Sequence, residues 1–356
     1  MSLLPDSNKI DMSNSDGLPD WVRTYLPARL LNDELELTPV SGDAGFRAYF
    51  RINCEPSTVV AYAPPEHENN VGFVAISLAL GRAGVHTPRV YAVDYQHGYI
   101  MQEDLGQQLY LDLLSDETVD VLYDCAETSL LKIQQASADE RVFPEYSARR
   151  LNDEMALFSR WFVGELLDHT LSTGERHMLG GLFEVLVENA LEQPQVVVHR
   201  DFHSRNLMAL PDKDVGVIDF QDAVIGPCTY DLASLLRDCY VRWPEALVNK
   251  RVSRFLRKSQ AKGLVDKDIE QRQYQRWFDL MGLQRHIKVL GIFARLYLRD
   301  GKSTYLGDLP LVIRYTLEAA QQYPETQDFY EWFCATFADA LKQQNWYRDW
   351  RKAGEG

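Results

Sequence analysis

The chain has 356 residues, 46% of them hydrophobic and 25% charged, an ordinary globular composition with room for about two domains. Its formal net charge of −15 argues against nucleic-acid or anionic-membrane partners, since both polyanions attract basic patches. Five scattered cysteines without CxxC spacing, no apolar run near the roughly 20 residues of a membrane span, and no apolar signal core near Met1 point to reduced thiols in a cytoplasmic protein.

In chain order, residues 1–17 are rich in Ser, Asn and Asp and read as a disordered leader. A helix is expected over 21–26, followed by strands at 34–40, 46–53 and 58–62. The second strand alternates, with Phe46, Ala48, Phe50 and Ile52 on one face and Arg47, Tyr49 and Arg51 on the other. Between the first two strands lies the turn-forming loop Ser41-Gly42-Asp43-Ala44-Gly45. Pro64-Pro65 closes the third strand. A helix over 66–81, strands at 89–94 and 98–102, and the segment Glu103-Asp104-Leu105-Gly106 come next. Long helical stretches then cover 107–137, 147–167 and 173–192. Short strands at 196–198 and 215–218 interrupt them before more helix to the C-terminus. The expected class is α+β, with a small strand-rich lobe (18–103) ahead of a larger, mostly helical lobe (104–356).

Chemistry concentrates after the valine strand 196–198, in His199-Arg200-Asp201-Phe202-His203-Ser204-Arg205-Asn206. Phosphoryl transfer needs a carboxylate to take the acceptor proton and oxygen ligands to hold Mg²⁺ on the phosphates. Asp201 suits the first task. Asn206, five positions on, and Asp219, at the end of the apolar run 215–218, suit the second as hard oxygen donors. HRDxxxxN followed by an apolar strand ending in Asp is a restrictive pattern.

HRDxxxxN resembles the catalytic loop of protein kinases. The pattern of Asp201, His203 and Asn206 is similar to that of the aminoglycoside and choline phosphotransferases. Gly226-Pro227, followed by Tyr230-Asp231-Leu232-Ala233, resembles the same family, in which such an Asp braces the catalytic loop from a helix start. The resemblance covers roughly 20–345 and implies a protein-kinase-like two-lobe fold, with a small antiparallel-sheet N-lobe and a larger helical C-lobe, using ATP and Mg²⁺. A narrower likeness rests on Gly42–Arg51, on Ala63-Pro64-Pro65-Glu66 and on Asp279–Gly291. These segments look like the bacterial anomeric sugar kinases of cell-wall recycling, which phosphorylate N-acetylmuramate and N-acetylglucosamine at the C1 hydroxyl. The implied partner is a small amino sugar, with no obligate protein partner evident.

In a kinase-like chain the loop of Gly42, Asp43, Ala44 and Gly45, continued by Phe46 and Arg47, would cover the ATP phosphates through its backbone N–H groups. Glu103 opens the crossover whose backbone would bind adenine. One departure stands out: residues 52–81 hold no Lys or Arg, so the usual third-strand lysine is missing, with Arg47 and Arg51 as the nearest cations. For the acceptor pocket the candidates beside Asp201 are Asp222, Glu154 and Trp161, with Gln284, Arg285 and Arg295 on a long apolar helical stretch that also carries Lys288 and Arg299. A cationic stripe on a buried helix must meet acids or a ligand, and muramic acid offers a lactyl carboxylate to an Arg. Three alternatives stay open: pairing of these cations with the chain's own acids, an aminoglycoside, choline or homoserine acceptor, and a catalytically dead nucleotide-binding regulator.

Overall fold

Residues 17–30, 34–40 and 46–355 are described by the computed structural model. The proposed leader therefore falls outside the described residues except for Gly17, and so do Gly42, Asp43, Ala44 and Gly45 of the phosphate-loop candidate. By contact density the chain divides into one unit of residues 1–125 with 206–222 and another of 126–205 with 223–356. This line differs from a cut at 103/104, and it passes through the HRDxxxxN segment itself.

The first unit begins with α1 (Leu18–Tyr25), which starts earlier than the expected 21–26 because Pro19 fits a helix's first turn. Strands β1 (Leu37–Val40), β2 (Ala48–Ile52) and β3 (Thr58–Tyr62) follow, then α2 (Asn70–Arg82), β4 (Val90–Asp94) and β5 (Tyr99–Glu103). The sheet is antiparallel throughout, in the order β1-β2-β3-β5-β4. Every residue of the central β3 is buried. Trp21 and Val22 of α1 pack with Ile52, Val60, Tyr62, Tyr99 and Met101. The expected alternation of the second strand holds for Phe50 and Ile52, which meet this core. Phe46 lies before the strand, is 51% exposed and stacks on His67. The stretch 107–137 is not one helix. It splits into α3 (Tyr110–Leu113) and α4 (Val119–Gln134), because Thr118 Oγ1 accepts the Ser115 N–H at 2.8 Å and donates to the Leu113 carbonyl at 2.6 Å.

In the second unit α5 (Ala148–Leu157) runs straight into a π-helical stretch, Phe158–Leu166, where one regular helix was expected. A capping box of Ser172 and Glu175 opens α6 (Thr173–Leu191). β6 (Gln195–Val198) comes next. The chain then returns to the first unit as the hairpin β7 (Leu207–Ala209) and β8 (Val215–Val217) before β9 (Val224–Pro227) pairs antiparallel with β6. Five helices follow: α7 (Tyr230–Leu236), α8 (Glu245–Ala261), α9 (Gln271–Leu298), α10 (Leu309–Ala320) and α11 (Gln327–Lys342). From Trp277 to Gly291 every residue of α9 is buried, so this helix is the unit's axis. Its Gly291 marks the reason for the irregularity in α5. A Cβ there would fall 2.4 Å from the Leu157 carbonyl carbon and 2.5 Å from the Phe158 nitrogen, where the α-helix gives way to π-turns.

Glu127 is wholly buried on α4 and receives Arg251 at 2.7 Å and Lys258 at 2.6 Å from α8. Removing one member of such a pair strands the other charges, so Glu127→Ala should destabilise the protein by about 3–5 kcal/mol, read as a lower urea midpoint. No helix among the described residues is long and apolar enough to cross a membrane.

Candidate active site

In the second unit the buried valines of β6 deliver the chain to His199. The backbone N–H groups of His199 and Arg200 donate to the two oxygens of Asp231, at 2.7 and 2.9 Å, from the first turn of α7. This is the bracing contact expected of Asp231. It holds Arg200 at φ +80°, a left-handed conformation that turns the chain towards Asp201. Burial pushes the Asp231 carboxyl up to about 7 in spite of these two hydrogen bonds. A second brace was not anticipated. Asp238 accepts the Ser204 N–H at 2.9 Å and the Ser204 hydroxyl at 2.5 Å. It lies two residues beyond the end of α7, so no helical spacing ties it to Asp231 and only the fold brings it to Ser204.

Asp201 itself sits among cations. Burial alone would raise its carboxyl, but Lys288, His203, Arg200 and Arg285 outweigh burial and hold it well below the usual carboxylate range. Lys288 comes from α9 and donates to the Tyr230 hydroxyl at 3.2 Å, with Glu154 at 3.3 Å. Arg200 pairs with the same Glu154, which also accepts the Tyr146 hydroxyl. Burial works to raise Glu154 too, and its two cations keep it lowered. Glu154, a substrate candidate in the sequence, thus has both oxygens engaged by protein groups and braces Arg200. Arg285 also reaches the field of Asp201, whereas Gln284 is fully buried with its side-chain amide unpartnered. The expected stripe is therefore split. Arg295 lies ten residues, or about 15 Å, further along α9, half-buried and in the field of Arg299 and Asp300. Arg299 pairs with Asp300 at 2.7 Å. Trp161 is in the π-helical stretch under the Arg160 guanidinium.

The first unit holds the other named residues. Asn206 precedes β7 and Asp219 follows β8, and hairpin pairing brings them together, Asn206 Nδ2 to Asp219 Oδ2 at 3.3 Å. Gln221 Nε2 donates to the other oxygen at 2.5 Å. Asp219 adopts φ +62°, a left-handed conformation that costs a non-glycine residue energy and marks functional positions. A carboxylate beside an amide oxygen is a hard donor set that fits Mg²⁺, an ion usually held by one or two carboxylates together with phosphates. Arg47 is buried, pairs with Glu68 at 2.9 Å, lies over the Phe73 ring, and has a buried Nε–H with no hydrogen-bond partner among the described residues. Tyr49 links this pair electrostatically to Asp219, since burial and then the charges of Asp219 and Glu68 raise its hydroxyl against the pull of Arg47. Arg51 is committed elsewhere, to Asp104 (2.5 and 2.9 Å) and the Gly106 carbonyl (3.1 Å). The Glu103 side chain meets His86 at 3.3 Å and the Arg89 N–H at 3.2 Å. Asp222 is exposed at the end of this unit.

With these positions in hand, the chain can be compared with known proteins. A family model described as the phosphotransferase enzyme family matches residues 36–264. An N-acetylmuramate/N-acetylglucosamine kinase of Pseudomonas aeruginosa is 42% identical over 87% of this chain and 93% of its own. The enzyme of the same description from Pseudomonas putida is 41% identical over 83% of this chain and 86% of its own. Among solved structures, a Plasmodium vivax ethanolamine kinase superposes with a TM-score of 0.58 at 11% identity, covering 88% of this chain and 96% of that one. That likeness shows the fold alone: a two-lobe, kinase-like α+β architecture with a small antiparallel N-terminal sheet and a larger helical part.

Proposed function

The chain belongs to the phosphotransferase enzyme family, and from that premise we propose that it transfers the terminal phosphoryl group of ATP to the C1 hydroxyl of N-acetylmuramate or N-acetylglucosamine. The product is the sugar 1-phosphate, formed in the cytoplasm during cell-wall recycling. The carrying observation is the likeness over more than four fifths of the chain to kinases described by those two sugars. Residues 18–103 form the ATP-binding lobe of this reading, and 104–356 carry the catalytic loop and sugar pocket.

In the proposed mechanism the sugar hydroxyl donates to Asp201, which orients it for in-line attack and receives its proton. The proton moves late, because a carboxylate held low by Lys288, Arg200 and Arg285 is a weak base. An anomeric hydroxyl is more acidic than an ordinary alcohol, so positioning carries more of the rate than proton abstraction does. Asp231 and Asp238 fix the loop so that Asp201 needs no rearrangement. Asn206 and Asp219 would hold Mg²⁺, which offsets phosphate charge when bound. In this reading the backbone following Glu103 would take the adenine, and Gly42–Arg47, of which 42–45 lie outside the described residues, would supply the phosphate contacts. Gln284, Arg285 and Trp161 face the sugar, with Asp222 and Arg295 further candidates.

Arg47 supplies the cation that residues 52–81 lack, and Glu68 positions it. Arg47→Ala should raise the KM for ATP about tenfold or more, with a smaller loss in kcat, checked by steady-state kinetics at saturating sugar.

Coupled ADP release against a panel of acceptors tests the whole reading. Turnover with the two amino sugars is expected. Turnover restricted to choline, homoserine or an aminoglycoside would overturn the sugar assignment. Nucleotide binding without turnover of any acceptor would point to a catalytically silent regulator.

A further inference from the structure

Arg285 poses an electrostatic problem that its protein neighbours do not solve. The residue is 2% exposed on the buried axis helix α9. Its one hydrogen bond among the described residues runs from Nη1 to the Cys239 thiol at 3.3 Å, and its buried Nε–H has no partner. Burial pushes that thiol up to about 11, so it is neutral at pH 7 and offers no countercharge. Asp201 and Asp231 are within electrostatic reach of Arg285, but neither forms an ion pair with it. The Asp231 oxygens already take the His199 and Arg200 N–H groups.

Other buried cations of this unit are treated differently. Arg237 has Asp279 at 2.5 Å, Arg251 has Glu127 at 2.7 Å, and Lys288 has Glu154 at 3.3 Å. A buried guanidinium without a carboxylate is costly, and fork-like N–H donors left open suit a planar anion. Gln284, the preceding residue, adds a second buried polar group, neither of whose amide atoms has a hydrogen-bond partner among the described residues. The two residues thus bring unused donors and an acceptor to the stretch of α9 whose charge reaches Asp201.

We propose that Arg285 is an anion-binding residue that receives the lactyl carboxylate of N-acetylmuramate while the C1 hydroxyl of the same sugar ring faces Asp201. This rests on the amino-sugar kinase reading and deepens it, by giving the chain a means to favour the acidic sugar over N-acetylglucosamine, which lacks that carboxylate. Lys288 does not compete for the role, because Glu154 and Tyr230 occupy its ammonium.

The test compares wild type, Arg285→Gln and Arg285→Lys on both sugars, with the methyl ester of N-acetylmuramate as a third acceptor. Arg285→Gln should lower kcat/KM for N-acetylmuramate about 50-fold more than for N-acetylglucosamine, mainly through KM, while any change in kcat that follows from its charge beside Asp201 is shared by both sugars. Arg285→Lys should recover part of the loss. The ester removes the charge from the substrate, so wild type should lose a similar factor on it, a result that needs no variant to fold. Equal losses on both sugars, or an ester as good as the acid, would overturn the proposal and leave Arg285 as a charge balancing Asp201 and Asp231. Wild type inactive on both sugars would overturn the kinase reading beneath it.

Discussion

Asp201→Asn is expected to lower kcat about 1,000-fold while leaving the Kd for ATP within about threefold of wild type, because a positioned general base contributes roughly 10²–10⁴ in rate. Asparagine keeps the size of the side chain and one oxygen acceptor, so the loop held by Asp231 and Asp238 should persist. The substitution removes the negative charge opposite Lys288, Arg200 and Arg285 and the site that takes the proton. Single-turnover measurements with stopped-flow nucleotide binding separate the two effects. A kcat near wild type would discard Asp201 as the proton acceptor. The pH profile gives a second check. The folded-state pKa of Asp201 lies below the ordinary value of about 3.9, so its charge is complete above that value and lost only as pH falls through the lower one. The acid side of the kcat/KM profile should therefore stay flat to about pH 5 as far as Asp201 is concerned.

How much of this site was legible in the sequence follows from the range of the interactions that make it. Asp201, Asn206 and Asp219 could be named because a strand, a short loop and a hairpin fix them within a span of 19 residues (219 − 201 + 1). Asp231 was readable for the same reason, lying one strand and one helix start away. Glu68 was passed over because its partner was sought on the third strand, where no cation exists. The pairing runs instead from Arg47, just ahead of the second strand, and only the fold brings the two within 2.9 Å. Glu154 could be seen as a polar residue on a helix, but its saturation by Arg200, Lys288 and Tyr146 joins three distant segments. The π-helical stretch after Leu157 was invisible because its apolar pattern also suits an α-helix. Its cause is the close approach of Gly291, more than 130 residues later in the chain.

Asp219→Ala should lower kcat/KM for ATP by about 1,000-fold, with the larger part in nucleotide binding. Phosphoryl transfer depends on electrostatic stabilisation of the phosphates more than on proton transfer, and loss of a charged ligand is felt in both ground and transition states. The geometry makes the carboxylate hard to replace. Its two oxygens are held by Asn206 Nδ2 and Gln221 Nε2, and its backbone has left-handed torsions that follow from the turn after β8. Alanine keeps the turn's length but leaves Asn206 as the sole oxygen donor of the pair, too little for an ion that sheds its water reluctantly. The Mg²⁺ dependence separates this role from a structural one. In Asp219→Ala the half-saturating Mg²⁺ concentration should rise at least tenfold, whereas in Asp201→Asn it should stay near wild type. Removing a ligand should also leave the fold intact, since Asp219 lies just beyond the end of the β7–β8 hairpin, whose backbone pairing does not need its side chain. An unchanged Mg²⁺ requirement in a folded Asp219→Ala protein would take the metal away from this hairpin.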